Sequence, residues 1–255
     1  MVNQKMAINP SKSQLMVIQP PSEPEHIQIT LDGKVIENQK TIKILGVSLA
    51  ADMKFDNHLW GEKESVLQSI SSKIAMMKTI KPYVSTKALA QVGAALINSS
   101  ILYAAPLWGA TSQSNIQKIQ SGQTRAARIV KSKAWQRSKV KQHRQDLLDE
   151  LGWPNTEQII HMATLNLTKK AISQKSSHDL NLMFQKSKQR SDRLAMSTRI
   201  DHKGKATRKT NIFSVKASDM YNKLPQELRA NSLTDKQFKD KLKVYTKTIY
   251  LLQKH

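Results

Sequence analysis

The period at which apolar residues recur changes near residue 57, and that change divides what the chain can fold into. Before it, Ile27, Ile29 and Leu31 alternate with polar residues, the two-residue period of a half-buried strand. Residues 14–18, 26–31, 34–36 and 41–49 read as strands, and Asp32-Gly33 is a two-residue hairpin signal. Pro20, Pro21 and Pro24 form a stiff linker between the first two. After residue 57, Val66, Ile70, Ile74 and Met77 fall on one side of a helix, with Lys73 and Lys78 on its other side. Pro82 ends this helix, and Ser85 or Thr86 caps a second that runs to about Tyr103. A third helix covers residues 115–133: Ile116, Ile119, Ala126 and Val130 make its core stripe, while Lys118, Arg125 and Arg128 share another side. Further helices are expected at 142–151, 156–173, 214–224 and 234–252, the last opened by a Thr234-Asp-Lys-Gln237 capping box. Residues 186–210 read as a mobile basic linker, and no internal repeat is visible. The expected fold is mainly α with a small N-terminal β portion (α+β), organised as β-rich 1–56, helical 57–151 and helical 152–255.

Charge says what such a fold would bind. The 255 residues include 41 Lys plus Arg against 19 Asp plus Glu, a net charge of +22 that attracts polyanions. Residues 1–60 hold six cationic and six anionic side chains, whereas between residues 65 and 145 there are 13 Lys or Arg and no Asp or Glu. Helical surfaces ordinarily mix both signs, so an unrelieved cationic run points to an anionic partner. Only 5% of residues are aromatic, which disfavours a base-stacking platform and favours grip on phosphates.

No cysteine occurs, which excludes disulfides, thiolate zinc sites and a Cys nucleophile together. The N-terminus lacks the apolar run of a signal peptide. The most apolar window, between Ala88 and Trp108, is broken by Gln91, Asn98, Ser99, Ser100 and Pro106, which reads as a core helix rather than a membrane span. The expectation is a soluble intracellular protein with no membrane partner, its nuclear or cytoplasmic placement and oligomeric state open.

Catalytic signatures are sparse. There is no Gly-x-x-x-x-Gly-Lys phosphate loop, no Gly-x-Ser-x-Gly elbow, no Asp-Asp pair and no His-x-x-x-His spacing. Glu62 and Glu64 precede a helix, where acids favour the macrodipole, and Asp149-Glu150 read as solvated. No metal ligand set is expected, nor a resident cofactor.

Five segments, taken in order, resemble the downstream part of the reverse transcriptase of non-LTR (LINE-like, jockey-type) retrotransposons. Met6-Ala-Ile-Asn-Pro-Ser-Lys-Ser13 is similar to the Leu-Asn-x-x-Lys-Thr stretch that follows the family's catalytic Asp-Asp strand. Ile42-Lys-Ile-Leu-Gly-Val47, with Phe55 and His58, looks like its Leu-Gly primer-grip segment and the start of the thumb. Tyr103-Ala-Ala-Pro-Leu-Trp108 resembles Tyr-Gly-x-x-x-Trp, and Ile119-Gln-x-x-Gln-Thr-Arg-Ala-Ala-Arg128 resembles Leu-Gln-x-x-Gln-x-x-Ala-x-Arg. Phe213, Ala217, Tyr221-Asn-Lys-Leu-Pro225 and Phe238-Lys239 match a Trp-Asn-x-Leu-Pro and Phe-Lys pattern. The chain departs from the family at Ala105, where Gly is usual, at Tyr221 in place of Trp and at Ser13 in place of Thr.

The resemblance implies a palm remnant of β-hairpins, a helical thumb and C-terminal helices. It implies a truncated RNA-directed DNA polymerase that binds RNA or RNA–DNA duplex without sequence preference, the metal-binding aspartates and their Mg2+ belonging to the full-length enzyme. By resemblance Lys12 corresponds to the lysine proposed to protonate departing pyrophosphate, and Leu45 and Gly46 to the primer grip. The expected phosphate contacts are Lys73, Lys78, Lys118, Arg125, Arg128, Lys131, Lys133 and Arg137. The alternatives are a nonenzymatic RNA- or DNA-binding host protein derived from such an element, and a basic helical assembly protein with an acidic partner.

Overall fold

The computed structural model describes residues 8–18, 27–131, 144–186, 200–202, 213–230 and 232–252. Its contacts divide the chain into two units, residues 1–68 and 69–255.

In the first unit, β1 (Gln28–Leu31) and β2 (Lys34–Glu37) pair antiparallel around Asp32 and Gly33, whose φ values of 48° and 75° are those of a primed hairpin turn. Residues 41–49, expected as one strand, are a second hairpin, β3 (Thr41–Ile44) and β4 (Val47–Ala50). Its turn is Leu45-Gly46, with φ 48° and 80°. Leucine disfavours that conformation, which is why the pattern hides the turn. The expected strand at 14–18 is reduced to one parallel bridge between Leu15 and Asn38, with the Gln39 amide donating to the Leu15 carbonyl at 2.8 Å and the Val17 amide to Asn38 Oδ1 at 3.0 Å. The expected proline linker lies outside the described residues. A short helix, α1 (Asp56–Trp60), packs on β4, and Phe55, His58 and Leu59 are buried.

The helix α2 (Val66–Ile80) buries the expected stripe of Val66, Ile70, Ile74 and Met77 and ends in a 3-10 turn at Lys81–Tyr83, where Pro82 cannot continue the ladder. In the second unit, α3 (Thr86–Leu102) is capped by the Ser85 hydroxyl, which accepts from the Ala88 amide at 3.2 Å. The short α4 (Ala105–Trp108), α5 (Gln113–Val130) and α6 (Arg144–Leu151) follow. Next comes α7 (Thr156–Ile172), opened by a reciprocal capping box between Asn155 and Gln158. This is the central helix: α3, α4 and α5 all touch it, and Ile159, Ile160, Leu165 and Ala171 are buried on several of its sides.

The remaining elements are α8 (His178–Leu182), β5 (Phe184–Lys186), β6 (Ile200–His202), α9 (Phe213–Asn222), α10 (Gln226–Arg229) and α11 (Asp235–Leu252). Both α9 and α11 pack on α7 around Leu165, Phe184, Ala217, Tyr221, Phe238 and Leu242. Phe184 and Phe213 meet edge to face, 6.1 Å between centroids. The expected capping box of α11 is present: the Gln237 amide donates to Thr234 Oγ1 at 3.3 Å, and the Thr234 amide to Gln237 Oε1 at 3.0 Å. Within the expected basic linker, Lys186 and Ile200 belong to strands that pair with each other, and residues 187–199 and 203–210 lie outside the described residues. The chain is mainly helical with a small β portion, as the change of period implies.

Left-handed backbone at a non-glycine residue recurs where α3 meets α4. Ala104 has φ 51° and ψ 19°, in the left-handed region, where it turns the chain from α3 into α4. Counting from Tyr103, the Gly of the Tyr-Gly-x-x-x-Trp pattern falls at this residue, so the departure assigned above to Ala105 belongs at Ala104. Ala105 is helical and fully buried. Ala104→Gly is expected to raise stability by about 1 kcal/mol, seen as a higher urea midpoint at unchanged slope.

Tyr221 is the other departure whose environment has a consequence. Its ring is fully buried in the C-terminal core, its hydroxyl has no hydrogen-bond partner among the described residues, and burial pushes its pKa from 10.0 up to about 12, opposed by nearby Arg229. Below pH 10 both folded and unfolded tyrosine are protonated. Between 10 and 12 the unfolded state ionises first, so stability falls by roughly 2 to 3 kcal/mol across that window. In Tyr221→Phe this part of the alkaline loss should vanish, which urea titrations of both proteins from pH 9 to 12 would read.

Candidate nucleic-acid interface

The cationic face expected on the third helix lies on α5. Ser112 starts the helix, its hydroxyl accepting from the Asn115 amide at 3.4 Å. Ile119, Gln123, Ala126, Ala127 and Val130 are buried, and Ile116 is half-buried. Lys118, Arg125 and Arg128 are all exposed. Intervals of seven and three residues bring them back to nearly one side of a 3.6-residue helix, along about 15 Å of axis.

The inward face of α5 holds a polar network that sequence reasoning missed. Gln123 is fully buried, and its Nε2 donates to Asn98 Oδ1 at 2.9 Å and to the Pro154 carbonyl at 2.8 Å. Its Oε1 accepts from Thr156 Oγ1 at 3.2 Å and from Gln120 Nε2 at 3.1 Å, while Gln120 Oε1 accepts from the Thr156 amide at 2.8 Å. The two glutamines of the Gln-x-x-Gln motif thus tie α5 to α3 and to the first turn of α7, and so set how α5 presents its arginines. The motif spacing was legible in the sequence; its partners, 25 to 36 residues away, were not.

Other basic side chains face the protein as well as solvent. Lys73 is half-buried and donates to Ser100 Oγ, and burial lowers its ammonium pKa from the ordinary lysine value. Lys81 donates to the carbonyls of Ile129 and Lys131 at the end of α5, where a cation also offsets the helix dipole. Lys131 pairs with Glu150 at 2.8 Å. Lys78 is exposed, and Lys133 and Arg137 lie outside the described residues. In the first unit, Lys12 is exposed at the end of a 3-10 turn capped by Asn9, and Leu45 is 88% exposed at a hairpin tip beside Gly46. Glu64 pairs with Lys43.

Burial lowers the pKa of both His58 and His161, with the positive charge of Lys43 adding to the effect at His58. Both rings are therefore neutral at pH 7 and add nothing to the cationic field. Among the described residues no three His, Asp or Glu side chains converge as a cation site would require. No described helix is long and apolar enough to cross a membrane.

No protein-family model, curated protein or solved structure matches this chain.

Proposed function

We propose that this chain binds the phosphate backbone of RNA or RNA–DNA duplex, as the thumb and C-terminal portion of a reverse transcriptase of the non-LTR retrotransposon kind, and does not polymerise by itself. The observation that carries the proposal is the row of Lys118, Arg125 and Arg128, exposed together on a helix whose opposite face is locked into the core. Long flexible cations on a rigid helix suit phosphates, whose spacing does not vary with sequence. The five ordered motifs support the family reading, and three of them take structural roles here: Trp108 is buried and donates to the Tyr103 carbonyl at 2.9 Å, Gln120 and Gln123 tie α5 to α3 and α7, and Tyr221 and Phe238 sit in the C-terminal core. The exposed apolar tip at Leu45-Gly46 fits a segment that presses on a primer end.

The proposal excludes unaided synthesis because no Asp-Asp pair occurs in the sequence to hold a pair of cations. A labelled RNA–DNA hybrid should bind in low salt, and log affinity should fall linearly with log salt by about 0.9 per phosphate contacted. Absence of binding at low salt would overturn the proposal. Primer extension with Mg2+ should yield no product; templated synthesis by the purified chain would overturn the second half.

A further inference from the structure

The helix α11 carries a second cationic face. Lys236, Lys239, Lys243 and Lys247 follow at intervals of three and four residues, which keeps them on one side, and all four are exposed. Asp240 falls beside them, while the buried stripe of Phe238, Leu242 and Thr246 lies about a quarter turn around the helix, so the row flanks the packed face. The row spans about 16 Å of helix axis. At its C-terminal half lies a cleft of about 280 Å³, whose lining includes Lys243 and Lys247 together with Trp153, Pro154, Met162 and Asp149.

We infer that this face is a site for single-stranded nucleic acid, with the lysines on successive phosphates and one unstacked base in the cleft. The inference rests on the nucleic-acid reading above and adds the strandedness and the place. The cleft is at the small end of ligand pockets, which run from about 300 Å³ upward, and has room for one ring system. Trp153 and Met162 offer it apolar surface, and Asp149 a hydrogen-bond acceptor for ring or amino N–H groups. Bases stacked inside a duplex cannot enter such a cleft, whereas those of a single strand can. Asp149 of the cleft precedes Glu150, which pairs with Lys131 at the end of α5.

The test is fluorescence anisotropy on the full chain, with a labelled single-stranded RNA dodecamer and an RNA–DNA hybrid, comparing Lys243→Gln/Lys247→Gln with Arg125→Ala/Arg128→Ala. The lysine pair should weaken single-strand binding about tenfold and flatten its log–log salt slope by about 1.4, leaving the hybrid within about twofold. A sugar–phosphate dodecamer without bases should bind at least about fivefold more weakly than the RNA. Unchanged single-strand affinity in the lysine variant, while the arginine variant loses affinity, would overturn this inference and leave the function proposed above standing. Equal binding of the abasic strand would overturn the base in the cleft. Polyglutamate competing as well as RNA would mark a general polyanion surface and overturn the site. If wild-type protein binds neither probe, the function proposed above has failed as well.

Discussion

Replacing Lys118, Arg125 and Arg128 together by Ala should lower affinity for an RNA–DNA hybrid about a hundredfold or more at low salt. Charge-assisted contacts to phosphate are worth roughly 1 kcal/mol or more each, and three of them correspond to about two decades in Kd. The log–log salt slope should fall by about 2.7, and the loss should be uniform across sequences, because contacts to the backbone carry no base information. Stability should hardly move, since all three side chains are exposed and substitutions at such positions usually stay within about 0.5 kcal/mol. A loss confined to particular sequences would mean that the arginines read bases. Retained affinity and slope would remove α5 from the interface altogether.

The acid-free run between residues 65 and 145 is legible as a sequence, but it is not acid-free in space. Glu150 lies just beyond it and pairs with Lys131, and Lys81 and Lys73 bond to carbonyls and a hydroxyl. Sequence reveals the sign of a side chain and, through helical period, its direction relative to its own helix. It does not reveal which later segment will pack against that side. Hence Lys118, Arg125 and Arg128, opposite a clear apolar stripe, are exposed as expected, while Lys73 and Lys131 are partly enclosed. The same limit explains the hairpins. Asp32-Gly33 announces its turn because both residues accept positive φ, whereas Leu45 conceals one inside a run of apolar residues that reads as continuous strand. A stop signal fixes the end of a helix, as Pro82 does for α2, whose start carries no such mark, and the four-residue α4 has no room for a period.

Gln123 shows how far the interface depends on what sequence could not disclose. Gln123→Ala is expected to destabilise the second unit by about 3 to 4 kcal/mol. Part of that is the cavity left by a side chain with no exposed surface, and part is the stranding of the Pro154 carbonyl, Asn98 Oδ1, the Thr156 hydroxyl and an amide hydrogen of Gln120. Gln123→Met separates the two causes, because it keeps most of the volume and removes only the hydrogen bonds. If the polar network dominates, Met should recover less than about 1 kcal/mol of the loss measured by urea unfolding. Recovery of most of the loss would show that filling space is what matters at this position. Because the network anchors α5 to α3 and to the start of α7, the Met variant should also weaken RNA–DNA binding under conditions where it remains folded. Alanine at Arg125 and Arg128, by contrast, should weaken binding with stability intact. The pair of measurements thus distinguishes residues that touch phosphate from residues that hold the helix on which they are mounted.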